Sequence, residues 1–416
     1  MAISSSAGIG RNCSMKILFV CQYFYPEVFR GNDIAFHWAE KGHDVHVVCG
    51  IPNYPQGKYY DGYGLFRKRC ETVNGVRVTR LPIVPRGNNK VMLMLNYFSY
   101  LFVAWIYILF HACFHKYDCV FVQQLSPVMM SAPAILYKRL RKVPLYTWML
   151  DLWPESLTAV GGVNNKYVLN FFKHYVRKQY KYSDKILISS KSFVKSILAY
   201  GAYEDKIVYY PQWSDGNDGA IVKPENAPDI PDGFKFMFAG AVGEAHGFEC
   251  TMQAAVLTKA HEGIKWIIVG DGRKLDWVRF FVKENGLEDT VFTLGRYPSE
   301  TMPWFFSRAD VMLVTLSNDP LFALYAPAKI SSYMAASKPI VAVLNGEGAE
   351  VIRDADCGWT LPAGDAEGLA QLAVELSQKN ATELAKKGAS AAKYYNEHYI
   401  KEKCLSKLDA IMGLKG

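Results

Sequence analysis

The chain has 416 residues, of which 50% are hydrophobic, 21% charged and 14% aromatic, and a net charge of +8. That composition excludes a disordered or low-complexity chain and leaves room for two ordinary domains. Its nine cysteines show no CxxC pair or metal-ligand spacing, which fits reduced, buried thiols better than a disulfide framework.

Residues 1–14 are polar and Ser/Gly-rich and lack the apolar stretch of a secretory signal. They read as a leader, tag or misassigned start. The fold opens at Met15. Residues 16–22 (KILFVCQ) form a short apolar run, read as a buried parallel strand. A loop with Pro26, Arg30 and Gly31 leads to a helix over 33–41, stopped by Gly42, and a strand over 44–48 completes a βαβ opening. The loop 50–64 is rich in Pro, Gly and Tyr, and loops of this length are often functional. After a strand near 76–80 comes an uncharged run over 91–114, crowded with aromatic residues.

Three placements compete for that run. Its 24 residues suffice to span a bilayer; it also suits a buried core helix, or a helix lying in a membrane interface. Spanning sets the strand 119–123 on the wrong side of the membrane from the first strand. The Tyr and Trp content and the flanking Arg86, Lys90, His115 and Lys116 favour the interface. Leu101, Trp105 and Ile108 share a helical face expected to meet lipid.

Strands over 145–150, 185–188 and 206–209 alternate with helices over 128–140, 166–182 and 191–199. Residues 212–233 lose periodicity and read as a linker. Alternation resumes with strands over 235–239, 265–269, 290–294, 311–314 and 339–343, then helices to the end. Two tandem alternating units predict two Rossmann-like, doubly wound parallel sheets. The halves differ in charge. Residues 1–210 carry 26 Lys+Arg against 12 Asp+Glu, and the remainder 21 against 27. A basic half with an apolar helix suits an anionic membrane surface, and an acidic half implies a separate task.

The candidate chemistry lies after strand ends. Gly31 precedes a helix and allows close backbone approach to an anion, or is an ordinary turn residue. Asp151 and Glu155, in the run DLWPES, follow a strand and hold sugar hydroxyls or a proton, or Asp151 merely caps a short helix. Gly240 and Gly243, with His246, form a glycine-rich loop fit to cradle a diphosphate, and Gly270 with Arg273 repeats the arrangement. Lys329 places a cation in the first turn of a helix, which is unfavourable unless an anion binds there.

At these residues the chain strongly resembles glycosyltransferase family 4 enzymes of the GT-B fold, in the WcaI- and WbuB-like branch that builds bacterial capsule, colanic acid and O-antigen units. The resemblance runs from about residue 15 to 399. Its specific pieces are Pro52-Asn53-Tyr54-Pro55-Gln56-Gly57-Lys58 and DLWPES, with Gly270-Asp271-Gly272, Pro327-Ala328-Lys329 and Tyr333-Met334-Ala335 less so. It implies two domains facing across a cleft: an acceptor-binding domain over 15–212 and a nucleotide-sugar domain over 234–395. The last helix, within 396–416, is expected to return to the first domain. It places Lys329 on the donor diphosphate, Arg296 and Tyr297 beside the base, Gly31 near the phosphates, and Asn53, Tyr54 and Lys58 toward the acceptor. The family's Glu-x7-Glu pair is replaced here, its second member by Ser332, which retains a hydroxyl for ribose.

The resemblance implies retaining transfer from a UDP- or GDP-sugar to an undecaprenyl-diphosphate-linked acceptor, with no cofactor, metal or nucleic acid, on the cytoplasmic face of the inner membrane. Asp354-Ala355-Asp356 has the letters of a metal site but follows no donor strand. Two other classes share the sequence features: a nucleotide-sugar 2-epimerase, and a non-catalytic scaffold for polysaccharide assembly.

Overall fold

The structure, a computed structural model, describes residues 14–159, 165–216 and 221–414. The leader reading lies outside the described residues except at Ser14, whose hydroxyl donates to the Gly42 carbonyl at 2.7 Å. The chain forms two compact units, one of residues 14–189, 194–210 and 405–414, the other of 190–193 and 211–404.

The first unit holds eight strands: β1 (Lys16–Val20), β2 (Asp44–Gly50), β3 (Cys70–Val73), β4 (Val76–Leu81), β5 (Cys119–Gln124), β6 (Leu145–Met149), β7 (Lys185–Ile188) and β8 (Ile207–Tyr209). Their order is β3-β4-β2-β1-β5-β6-β7-β8. All neighbours are parallel except β3 and β4. This corrects the expectation of a wholly parallel sheet. Asn74 and Gly75, at φ +47° and +79°, form the two-residue turn that reverses the chain. The parallel strands bring the loops after β1, β2, β4, β5 and β6 to one edge of the sheet.

The second unit holds β9 (Phe234–Ala239), β10 (Ile264–Val269), β11 (Val291–Gly295), β12 (Val311–Thr315), β13 (Ile340–Val343) and β14 (Gly358–Leu361). The order is β11-β10-β9-β12-β13-β14, parallel throughout. Alternate residues of β9 feed two cores: Met237 and Ala239 one, Phe236 and Phe238 the other. β14 is a strand that pattern reading takes for helix, because four residues flanked by helices show no clear period. Described residues of the 212–233 stretch are packed into the second unit. Trp213 and Ala227 are buried, and the Tyr395 hydroxyl donates to the Ser214 carbonyl at 3.2 Å.

The apolar run forms one helix, Lys90–Phe114, capped by the Asn89 side chain on the Met92 amide. An 18-residue window has mean hydropathy 1.7 and is 22% buried. Tyr100, Ala104, Ile108 and Ala112, at spacings of four, pack in one cluster with Leu18, Val20, Val48, Val120 and Val122. Ile108 is fully buried, which corrects the lipid-facing assignment made for it. The outward face carries Met94, Leu95, Phe98, Phe102 and Trp105, each more than 40% exposed.

The last helix, Lys401–Met412, anchors in the first unit through Asp409. Its carboxylate accepts hydrogen bonds from His37 at 2.8 Å and from the Trp38 indole and Lys41 ammonium at 3.0 Å.

Candidate functional site

In the second unit the loops after β9, β10 and β11 pack backbone on backbone. The Gly240 amide donates to Val269 O at 2.9 Å, the Val242 amide to Asp271 O at 2.9 Å, and the Gly270 amide to Gly295 O at 2.7 Å. No side chain fits between them. A Cβ on Gly270 meets the Gly240 carbonyl oxygen at 1.8 Å, and one on Gly272 meets Val242 O at 2.3 Å. These glycines have φ of +150° and +156°, which L side chains rarely adopt. The loops open onto a cavity of about 1000 Å³ lined by Gly240, Ala241, Gly270, Arg296, Tyr297 and Ser299 among others. Four sequence-predicted donor residues, Gly240, Gly270, Arg296 and Tyr297, therefore share one wall.

Lys329 opens the helix Lys329–Ala335. Its Nζ is buried without a hydrogen-bond partner, 3.6 Å from the centroid of the Phe238 ring. A Cβ on Gly240 meets this Nζ at 3.2 Å, so the ammonium lies under the glycine loop. Burial brings its pKa from 10.5 down to about 7. The His246 ring stands edge-on to the same Phe238 at 5.4 Å, and its Nδ1 is also buried and unpartnered. Burial, then the Lys329 charge, lowers its pKa to about 4. Two buried nitrogens without hydrogen-bond partners thus stand together beside the glycine loop.

The remaining predicted donor residues fare differently. Gly243 lies 3.9 Å from His246 Nδ1, measured from an added Cβ. Arg273 is exposed and Ser332 half-buried, and neither lines the cavity. The Tyr297 hydroxyl donates to Asn226 O at 3.2 Å and its ring packs on Phe305. Tyr297 is thus held by the protein. Asp356 pairs with Lys387, and no group of three or more His, Cys, Asp or Glu residues among those described is arranged to hold a metal.

In the first unit, the site edge is organised by a residue that sequence reading passes over. Glu27 is 1% exposed, and its carboxylate accepts the amides of Phe24 (3.2 Å), Asn53 (2.8 Å) and Tyr54 (2.7 Å). It ties the loop after β1 to the loop after β2. Burial raises its pKa to about 7, against the pull of those three amides. Asn53 is fully buried, its side chain spent on Ile51 O and the Arg86 amide. It ties the loop after β2 to the loop after β4. Tyr54 is 37% exposed and packs against Tyr23 and Phe29, while Lys58 is exposed.

Gly31 lies inside the first turn of the helix Arg30–Glu40, not in a preceding loop. An added Cβ meets Gln123 Oε1 at 2.2 Å and Phe19 at 3.0 Å, so packing against β1 and β5 requires this glycine. The Asp151 carboxylate accepts hydrogen bonds from Ser126, and burial raises its pKa. It acts electrostatically on Tyr97. Glu155 opens the short helix Glu155–Ala159, with Oε2 buried and unpartnered, burial raising its pKa and Lys173 opposing. The two carboxylates of DLWPES therefore serve different surroundings.

Residues 31–213 match the family model described as glycosyl transferase 4-like domain, and residues 233–379 that of glycosyl transferases group 1. Among curated proteins the chain is similar to the probable glycosyltransferase WbjE of Pseudomonas aeruginosa, 29% identical over 64% of this chain and 70% of that one. It is also similar to the putative colanic acid biosynthesis glycosyl transferase WcaI of Escherichia coli K12, 22% identical over 77% of this chain and 81% of that one. Among solved structures, Anabaena HepE in complex with UDP-glucose superposes with a TM-score of 0.65 at 13% identity, covering 96% of this chain and 99% of that one. That likeness speaks to the fold.

Proposed function

The chain belongs to the GT-B glycosyltransferases, with a glycosyl transferase 4-like domain followed by a group 1 domain, and its relatives are bacterial polysaccharide glycosyltransferases; from this premise we propose retaining transfer of a sugar from a nucleoside diphosphate donor to a lipid-linked acceptor. The observation that carries the donor reading is Lys329, a buried ammonium without an acceptor under a glycine loop. A diphosphate supplies the missing negative charge. UDP is the donor base we favour, since HepE is solved with UDP-glucose.

In the reaction proposed, the acceptor hydroxyl oxygen bonds to the anomeric carbon as the bond from that carbon to the β-phosphate oxygen breaks. The electron pair leaves on the phosphate, where the Lys329 ammonium stabilises it. The acceptor proton passes to the leaving phosphate, so no resident cofactor enters. Asp151, at the end of β6, orients the acceptor. The exposed apolar face of Lys90–Phe114 supports a membrane-bound enzyme in this reading, and we assign it to the cytoplasmic face of the inner membrane.

Calorimetric titration with UDP and GDP, on wild type and Lys329→Ala, tests the donor site. Transfer of labelled sugar to undecaprenyl-diphosphate-linked acceptors, with the anomeric configuration read by NMR, tests the reaction. Product analysis with donor alone tests for an epimerase. No nucleotide binding by wild type leaves the scaffold reading in its place.

A further inference from the structure

The loop after β4 brings Arg86 into a ring of tyrosines. Its Nη1 donates to the Tyr23 hydroxyl at 3.1 Å, and its guanidinium carbon lies 5.3 Å from the Tyr54 ring centroid and 5.9 Å from that of Tyr97. Tyr23 in turn stacks on Phe29 at 5.3 Å. No carboxylate pairs with Arg86 among the described residues, although half-buried cations ordinarily acquire one. This cage occupies the same sheet edge as Asp151, whose charge acts on Tyr97. It comes from segments near residues 23, 54, 86 and 97, so no local motif announces it.

Tyr97 begins a second feature. The next residue on its helix, Phe98, lines an apolar groove of about 480 Å³ with Leu101, Phe102, Trp105 and, from the helix Lys166–Tyr182, Tyr175. From Tyr97 to Trp105 the helix rises roughly 12 Å. The groove therefore runs away from a solitary cation along a dry aromatic wall. The helices Lys90–Phe114, Ala132–Arg141 and Lys166–Tyr182 carry nine Lys or Arg residues and no Asp or Glu. An amphiphile with an anionic head and a hydrocarbon tail matches both features in order. A soluble sugar phosphate leaves the groove empty, and a neutral lipid leaves Arg86 without a counter-charge.

We propose that Arg86 and its tyrosines bind the diphosphate of a polyprenyl-diphosphate acceptor, and that the Phe98–Trp105 groove takes the first part of its prenyl chain. This rests on the lipid-linked acceptor reading above and gives it an address. Arg86 then fixes how far the acceptor sugar reaches, so it sets the acceptor's KM more than kcat.

The test is titration of wild type with farnesyl diphosphate, inorganic diphosphate and farnesol, with excess UDP present to occupy the donor site. Farnesyl diphosphate should bind at least about tenfold more tightly than either fragment. Arg86→Gln should weaken farnesyl diphosphate by about tenfold or more, as loss of a charge-assisted contact implies, while Arg86→Lys recovers part of it. Leu101→Gln with Phe102→Ser should bring farnesyl diphosphate down to the affinity of inorganic diphosphate. The proposal falls if folded Arg86→Gln binds farnesyl diphosphate as wild type does. It falls equally if wild type does not distinguish farnesyl diphosphate from its fragments. The wider reading fails separately: Arg86-dependent binding without transfer to any lipid-linked acceptor overturns that reading alone. Transfer with an unchanged acceptor KM in Arg86→Gln overturns this proposal alone.

Discussion

Lys329 holds its ammonium 3.6 Å over the face of Phe238 and donates to no acceptor. The ring supplies a cation–π contact but cannot replace lost hydration. The site therefore waits between protonation states, and a phosphate ligand decides between them.

UDP binding should be coupled to proton uptake. Lys329 has a pKa of about 7 without ligand, and an adjacent diphosphate raises it. At pH 8 the free protein holds less than a full proton there and the complex holds more. Calorimetry in buffers of different ionisation enthalpy should show uptake by wild type and none by Lys329→Met. The same substitution should weaken UDP by about 1.5–3 kcal/mol. Equal, buffer-independent heats for wild type count against the assignment.

Glu27 should make the two loops it joins cooperative. Glu27→Ala leaves three buried amides without an acceptor and should cost at least about 2 kcal/mol. Hydrogen exchange at the Asn53 and Tyr54 amides should accelerate together. Because burial raises the Glu27 pKa from 4.5 to about 7, the native state holds a proton across that window which the unfolded chain has released. Wild-type stability therefore falls as pH rises from 4.5 to 7. Glu27→Gln lacks that slope, so the wild-type urea midpoint should fall relative to that of the variant between pH 5 and pH 8.

The apolar helix should separate into a stability face and a binding face. Ile108→Ser puts a hydroxyl into the cluster that holds Leu18 and Val122, and should destabilise by about 2–5 kcal/mol. Phe102→Ser, 67% exposed in the native protein, should leave the thermal midpoint within a few degrees. It should reduce sedimentation with anionic vesicles. High salt should weaken that binding without abolishing it, because screening acts on the charges and not on the aromatic face.

Gly270→Ala should abolish UDP binding by distorting the loops. The new Cβ overlaps the Gly240 carbonyl at 1.8 Å, and the backbone sits at φ +150°. The strain alone is worth about 1–3 kcal/mol. A variant that binds UDP like wild type excludes this packing as a requirement.

Some of this was legible from the residues alone. Continuous apolar runs such as KILFV mark strands buried on both faces, and glycine loops after strands mark the wall of the cavity beside Gly240 and Gly270. The Asn74-Gly75 hairpin was also readable, being the strongest short turn signal, yet a pattern of alternating strands and helices hid it. Ile108 was misplaced for a physical reason. A helix apolar all round has no period to reveal its inward side, and only packing decides. Glu27 gave no signal, since its partners are backbone amides that any residue carries. Arg86 and its tyrosines meet through the sheet, from positions up to 74 apart in sequence between Tyr23 and Tyr97, so only topology assembles them.

Asp409 imposes an order on the birth of the molecule. The ribosome releases residues 14–210 long before it makes the helix whose carboxylate satisfies the Trp38 indole and the Lys41 ammonium. Until then the first unit lacks one of its own walls, and nearly 200 residues of the second must emerge before that wall arrives. The nascent chain thus carries its full N-terminal sheet while the Trp38 indole and the Lys41 ammonium still lack their acceptor. A fragment cut after residue 210 reproduces that state permanently. Such a fragment should be aggregation-prone in isolation, and adding the Lys401–Met412 helix on a short tether should restore its solubility.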